Sequence, residues 1–238
     1  LELTGSGFSG IPSFSGVFLG QGHIISGLSL VNDGSVVGFF RYVQEGALIN
    51  ELTVSGNVVP GGSRSTVGGI SGKNEGTIQG CWFTGVVSGA SNVGSIAGVN
   101  ESTGMIVGCT STGVAYGQHF VGGIVGEAGF GAGLTIESCY NTGSVQGEAF
   151  NSGQQGAAGI LGTAYGVDSI LVQNVYNTGK ITGRGSGQYS GVGGIVGNAG
   201  DSGVTITLNQ CANQGAVSND TGGVLLRKGG TGGIIGLA

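Results

Sequence analysis

Apolar residues in this chain recur two apart in short runs bounded by glycine, and the runs themselves recur. The block Val-Gly-Gly-Ile-x-Gly and close variants stand at Val67–Gly72, Val93–Gly98 (with Ser95 for the second paired glycine), Val121–Gly126, Ala157–Gly162, Val192–Gly197 and Thr231–Gly236, with a weaker copy from Val37. Every copy but the last is followed by a second block, apolar-x-x-Cys-x-x-x-Gly-x-x-x-Gly. It reads Ile78, Cys81, Gly85, Gly89, then Ile106, Cys109, Gly113, Gly117, then Ile136, Cys139, Gly143, Gly147. The later copies run Val172, Val175, Gly179, Gly183 and Leu208, Cys211, Gly215, Asn219, and Ile49, Leu52 and Gly56 fit upstream.

A two-residue alternation predicts half-buried strands, and no 3.6-residue period is sustained that would argue for helix. A unit of this size cannot bury its own apolar face, but stacked copies can, with equivalent residues about 4.8 Å apart in parallel sheets. The expected fold is therefore all-β: one right-handed parallel β-helix of about six to eight coils. Successive first blocks start 26, 28, 36, 35 and 39 residues apart, so the coils lengthen along the chain. Residues 1–238 read as a single domain, a lead-in segment 1–36 followed by coils over 37–238. Leu1 lies before the first recognisable coil and Ala238 follows straight after Ile234-Ile235-Gly236, where a solenoid would need a cap, so the segment is expected to belong to a longer chain.

Composition narrows the alternatives. Glycine supplies 57 of 238 residues without a three-residue period, which excludes collagen. Only 8% of residues are charged and 39% are apolar, the reverse of a disordered chain. A net charge of −5 argues against nucleic acid or an anionic membrane as partner. Glycine interrupts every apolar stretch short of the ~20 residues a membrane helix needs, so no membrane insertion is expected.

Candidate chemistry is thin. Cys81, Cys109, Cys139 and Cys211 share one repeat position with Leu52 and Val175, and Leu28 reads as a further member. A position accepting Leu, Val or Cys is an inward apolar column, so the cysteines are expected to be unbridged core residues. Asn141, Asn177 and Asn213 form another column and Thr84, Thr112, Thr142 and Thr178 the next, read as corner ladders that satisfy turn backbone. His23 and His119 are isolated, no His-Glu-x-x-His is present, and neither a metal nor an organic cofactor is expected.

Loop arithmetic gives the best candidate surface. The connections between second block and next first block are 90–92, 118–120, 148–156, 184–191 and 220–230, so three long ones follow one another at one corner. Stacked insertions on one face of a solenoid often form its binding surface. Their first residues, Glu148, Arg184 and Asp220, make a charged column, with Phe150 and Tyr189 nearby, and together these five are the expected ligand-binding face. A carboxylate pair beside a base also suits carbohydrate chemistry, though a solvated salt-bridge row gives the same pattern.

The blocks, shown best by Val121-Gly-Gly-Ile-Val-Gly126 followed by Ile136-Glu-Ser-Cys139-Tyr-Asn-Thr-Gly143-Ser-Val-Gln-Gly147, resemble the GLUG-motif repeats of bacterial surface and secreted proteins. Such repeats include regions of the large IgA-cleaving metallopeptidases. Phe14 to Leu28 is similar to the segment that often precedes these arrays, with Leu19 where the family commonly has Asp. The resemblance implies an extracellular, cell-surface setting and a scaffold or adhesive role, with an extracellular protein or glycan, neighbouring domains or end-to-end copies as partners. A substrate-positioning region of a secreted peptidase and a carbohydrate-active β-helix enzyme are the alternatives.

Overall fold

The computed structural model describes residues 1–5, 7–61, 65–148, 155–184, 190–200, 203–220 and 230–237, with Ala132 described by its backbone alone. These residues form 31 strands and no helix. The strands assemble into three sheets, here called sheet A (thirteen strands), sheet B (eleven) and sheet C (seven). One coil shows the order of passage. The chain runs through sheet C at Thr66–Gly68, turns into sheet A at Ser71–Asn74 and Thr77–Gln79, and crosses sheet B at Trp82–Gly89. Asn92–Gly94 then re-enters sheet C beside Thr66–Gly68, in parallel. The architecture is a parallel β-solenoid.

The sequence columns are physical columns. Val67, Val93, Val121, Ala157, Val192 and Thr231 stand in register across sheet C. Ile78, Ile106, Ile136, Val172 and Leu208 do the same across sheet A. Residues before Val36 are stacked too, with Val17–Leu19 on Leu48–Asn50 and Ile24–Leu30 on Thr53–Val58.

The Val-Gly-Gly-Ile-x-Gly block has a specific mechanical purpose. It folds the sheet C strand back onto the first sheet A strand with almost no side chain between them. A β-carbon on the first paired glycine would strike the carbonyl oxygen three residues on: Gly68 against Ser71, Gly94 against Ala97, Gly122 against Val125, Gly193 against Val196. The last glycine of the block faces the preceding coil. A β-carbon on Gly98, Gly126, Gly162 or Gly197 would lie 2.5–2.8 Å from the backbone nitrogen of Val67, Val93, Val121 or Ala157. Real β-carbons do not come that close to backbone, so the last place, glycine in every one of these coils, admits no side chain without rearrangement, whereas one coil adjusts to carry Ala158 at the first.

The second paired glycine answers a different neighbour, the inward side chain of sheet B. Gly69 abuts Phe83, Gly123 abuts Asn141, Gly159 abuts Asn177 and Gly194 abuts Asn213. Phe83, Ser111, Asn141, Asn177 and Asn213 are one register column. Serine at position 95 therefore belongs to the coil whose facing residue is the small Ser111, and both side chains are fully buried.

Inside the solenoid the isoleucines of the first five blocks, Ile70, Ile96, Ile124, Ile160 and Ile195, are fully buried, while Ile234 of the last is 37% exposed. At the N-terminal coils, where Phe39 and Phe40 follow Gly38, phenylalanines fill the core: Phe14, Phe18 and Phe39 pack on Phe40 with ring centroids 5.0–5.4 Å apart. Asparagines are buried as well, and Asn74, Asn100, Asn141 and Asn177 are hydrogen-bonded along the axis. The Asn141 amide donates to Asn177 Oδ1 and the Asn177 amide to Asn213 Oδ1, both at 2.7 Å. The same amides donate to the carbonyls of Gly143 and Gly179 at 2.9 Å, so each ladder rung also ties down its own turn. Asn74 and Asn100 repeat the device on sheet A at 2.7 Å.

The cysteine column is inward, as the repeat indicates, and all four thiols are free. Cys81, Cys109 and Cys139 are buried and Cys211 partly so. Each thiol points at the carbonyl two residues before it, at 3.2–3.5 Å. Burial, reinforced by Cys139 and Cys81 on either side, pushes the Cys109 thiol well above its usual range, the opposite of a reactive nucleophile. Leu28 does not belong to this column. It pairs with Gly56, whereas the carbonyl accepting from Thr53, equivalent to the Leu52 carbonyl accepting from Trp82, is that of His23. The strand Ile24–Leu30 shifts register between Ile25 and Leu28, and counting apolar spacings cannot reveal such a bulge.

Two substitutions test the close approach. Gly126→Ala is expected to lower the unfolding free energy by about 1–3 kcal/mol through overpacking. Ser95→Gly, which only removes a side chain from a tolerant coil, is expected to cost no more than about 1 kcal/mol. Urea denaturation followed by circular dichroism measures both.

Candidate functional site

The expected ligand-binding corner begins where sheet B strands end. Val145–Gly147, Ile181–Gly183 and Val217–Asn219 lie side by side in register, so the next residues leave the sheet one above another. The backbone continues the ladder for one more step: the amides of Glu148, Arg184 and Asp220 donate to the carbonyls of Gly117, Gly147 and Gly183 at 2.7–2.8 Å. The structure thus stacks Glu148, Arg184 and Asp220. Phe150 and Tyr189, with most of the long connections, lie outside the described residues.

Glu148 is the hub. Its Oε1 accepts from Gln146 Nε2 at 2.7 Å and from Arg184 Nη1 at 3.1 Å. The hydroxyl of Tyr116 also bonds to it, which raises that phenol above its ordinary range. With donors from three coils, the Glu148 side chain is held in one place. Arg184 remains more than half exposed, at 55%, so the pair adds under about 1 kcal/mol to stability and leaves the guanidinium accessible.

Sequence reasoning passed over the wall beside this corner. The residue after each cysteine position, Trp82, Thr110, Tyr140, Tyr176 and Ala212, forms one column on the outer face of sheet B. Trp82 is 47% exposed, and its indole N–H donates to Thr112 Oγ1 at 3.4 Å. Tyr140 and Tyr176 stack with centroids 5.3 Å apart and planes 7° from parallel. The threonine column lies two residues on, so aromatic rings and hydroxyls line the same face that ends in the Glu148–Arg184 pair. The signal was legible: Cys-Trp, Cys-Tyr and Val-Tyr at one repeat position, with alternation putting the aromatic outward.

A second titratable cluster sits where sheets A and C meet. Lys73 Nζ pairs with Glu101 Oε1 at 3.0 Å, and the Asn92 amide donates to Glu127 Oε2. Burial, then the Glu101 charge, pushes the Glu127 carboxyl up to about 7, against the pull of Lys73 and Asn92. Among the described residues no group of three or more His, Cys, Asp or Glu side chains could hold a metal ion. No helix there is long and apolar enough to cross a membrane. His119 is occupied at Nδ1 by the Gln155 amide at 2.7 Å.

No family model matches the chain. Among solved structures, the chain is similar to a Bacteroides ovatus protein provisionally assigned as an immunoglobulin A1 protease. The TM-score is 0.67 at 24% identity, over 89% of this chain and 65% of that one. The likeness is one of fold. Halomucin from Haloquadratum walsbyi is 33% identical over 105 residues, 41% of this chain. This chain corresponds to about 1% of halomucin's length and to less than two thirds of the Bacteroides chain.

Glu127 gives a pH signature with a definite sign. A carboxyl held near 7 when folded and near 4.5 when unfolded keeps the folded state more protonated between those values. Its contribution is therefore complete below about pH 4.5 and is lost as pH rises through 7. Glu127→Gln is expected to flatten that part of the stability–pH curve and to stabilise the protein at pH 8, by on the order of 2 kcal/mol. Denaturation midpoints from pH 4 to pH 8 check it.

Proposed function

We propose that this chain is a non-catalytic, right-handed β-helix module of a bacterial cell-surface or secreted protein, adhesive in role. The outer face of sheet B and its charged corner bind an extracellular glycan or protein. The observation that carries this reading is the convergence on one flat wall of the exposed Trp82, the half-buried, stacked Tyr140 and Tyr176, a hydroxyl column and the accessible Arg184 of the Glu148 pair. Aromatics beside ordered polar groups are the composition of recognition surfaces. Phe150, Tyr189 and Asp220 would extend the same surface along the corner. The motif resemblance, the fold shared with the Bacteroides protein and the halomucin similarity all support an extracellular setting.

The carboxylates here are poorly suited to general acid–base work, because Glu148 is tied to three donors and Arg184 stands between it and Asp220. The named activity of the Bacteroides protein supports a second reading, an accessory region that positions substrate for a secreted peptidase. That reading requires a catalytic domain elsewhere in the parent protein.

Screening the immobilised chain against glycan and extracellular-protein arrays tests the proposal. A ligand is expected whose binding falls about tenfold or more in Trp82→Ala and in the Glu148→Ala/Arg184→Ala double variant, without change in circular dichroism. Ligands retained equally by both variants would move the binding face elsewhere. Polysaccharide cleavage that disappears in Glu148→Gln or Asp220→Asn would overturn the non-catalytic assignment.

A further inference from the structure

The opposite corner, on sheet A, carries a second feature that the repeat does not require. In the coil from Thr66 the two sheet A strands are separated by Glu75 and Gly76 alone. In the coil from Phe120 they fuse into one strand, Val125–Glu137, whose pairing slips twice, around Gly131 to Leu134. Gly131 and Gly133 take φ of 143° and 76°, and a β-carbon on Gly131 would collide with the backbone of Ser102. Bulges of this kind re-aim the neighbouring side chain. Here the neighbour is Phe130, which is 69% exposed.

The next coil completes the arrangement. Gly166, at φ 70°, lies under the Phe130 ring, so closely that a β-carbon there would be 2.7 Å from Phe130 Cε1. Tyr165 beside it is 40% exposed. Phe130, Tyr165, Gly166, Asp168, Gly203 and Val204 line one open hollow of about 300 Å3. Two aromatic rings thus stand exposed at a single point, held there by a bulge and a glycine. Close packing of the core needs neither ring, since neither belongs to the buried cluster.

The chemistry of the lining selects its occupant. It offers two ring faces, an exposed carboxylate in Asp168, an apolar floor at Val204, and no basic side chain. Ring faces and a carboxylate attract a cation together, whereas a sugar would need more hydrogen-bonding groups than one phenol and one carboxylate. The chain's charge of −5 favours the same sign of partner. An apolar floor suits the methylene stem of a long basic side chain. We propose that the Phe130–Tyr165–Asp168 hollow is a docking site for a lysine or arginine side chain of a protein partner. It is separate from the sheet B wall and does not depend on that wall's function.

Titrating the 238-residue chain with tetra-arginine and tetra-lysine peptides, followed by the NMR resonances of Phe130, Tyr165 and Val204, tests this. Saturable shifts at those residues are expected, absent with the uncharged tetra-citrulline peptide. Phe130→Leu, which keeps an apolar side chain but removes the ring, should weaken binding about two- to fivefold. Asp168→Asn should weaken it at least as much. Glu45→Gln, an exposed acid three coils nearer the N-terminus, should leave affinity unchanged. Equal binding of tetra-citrulline would overturn the proposal, as would indifference to both hollow variants. A matching loss in Glu45→Gln would reduce the effect to general attraction by an acidic protein and overturn it too.

Discussion

Each coil of this solenoid depends on one steric condition: the sheet C strand and the first sheet A strand approach backbone to backbone. Gly122 against the Val125 carbonyl and Gly126 against the Val93 amide show how little room remains. A methyl group at Gly126 would push the strands apart, and the displacement would be transmitted through the stack because neighbouring coils share hydrogen bonds. The closure brings Ile96, Ile124 and Ile160 onto the axis, where they are sealed from water. A chain with few charges and abundant glycine can therefore keep a dry interior, since the narrow core is filled by single rows of side chains.

The same narrowness explains why polar residues are tolerated inside. Asn141, Asn177 and Asn213 stand where an apolar column would be expected, yet each amide finds a partner one coil away and a second in its own turn. Repetition makes this cheap, because stacking at strand spacing presents an identical donor to every acceptor. The asparagine column also dictates glycine across the core, at 123, 159 and 194, and the small Ser111 goes with serine at 95. The two columns are one packing solution read from opposite walls.

With the interior fixed by repetition, individuality is confined to the outward column residues and the corners. Sheet B collects Trp82, Tyr140 and Tyr176 on a flat wall that ends in Glu148 and Arg184. Sheet A collects Phe130 and Tyr165 at a bulge. The corner of Glu148 and the bulge at Phe130 lie where the coils lengthen, so the added residues leave the core repeat unaltered. A wall of rings and hydroxyls and a hollow with a carboxylate differ in chemistry, which gives one rigid rod two separable recognition surfaces.

The order of the blocks already carried the all-β parallel stack, the inward cysteine column, the asparagine ladder that ties down its turns, and the stacking of Glu148, Arg184 and Asp220. Those features follow from equivalence between copies, and in-register stacking turns equivalence directly into adjacency. Tertiary structure alone decided the exceptions. Leu28 left the cysteine column because a register shift in its strand moved it onto Gly56. Glu127 acquired its raised pKa from burial beside Glu101, a residue of the preceding coil and 26 positions away in sequence. The hollow at Phe130 exists because glycines at 131 and 166 take left-handed backbone, which composition cannot distinguish from the many glycines that do not. A repeat carries its own geometry in its period, while a bulge is set by the fit of one coil against the next.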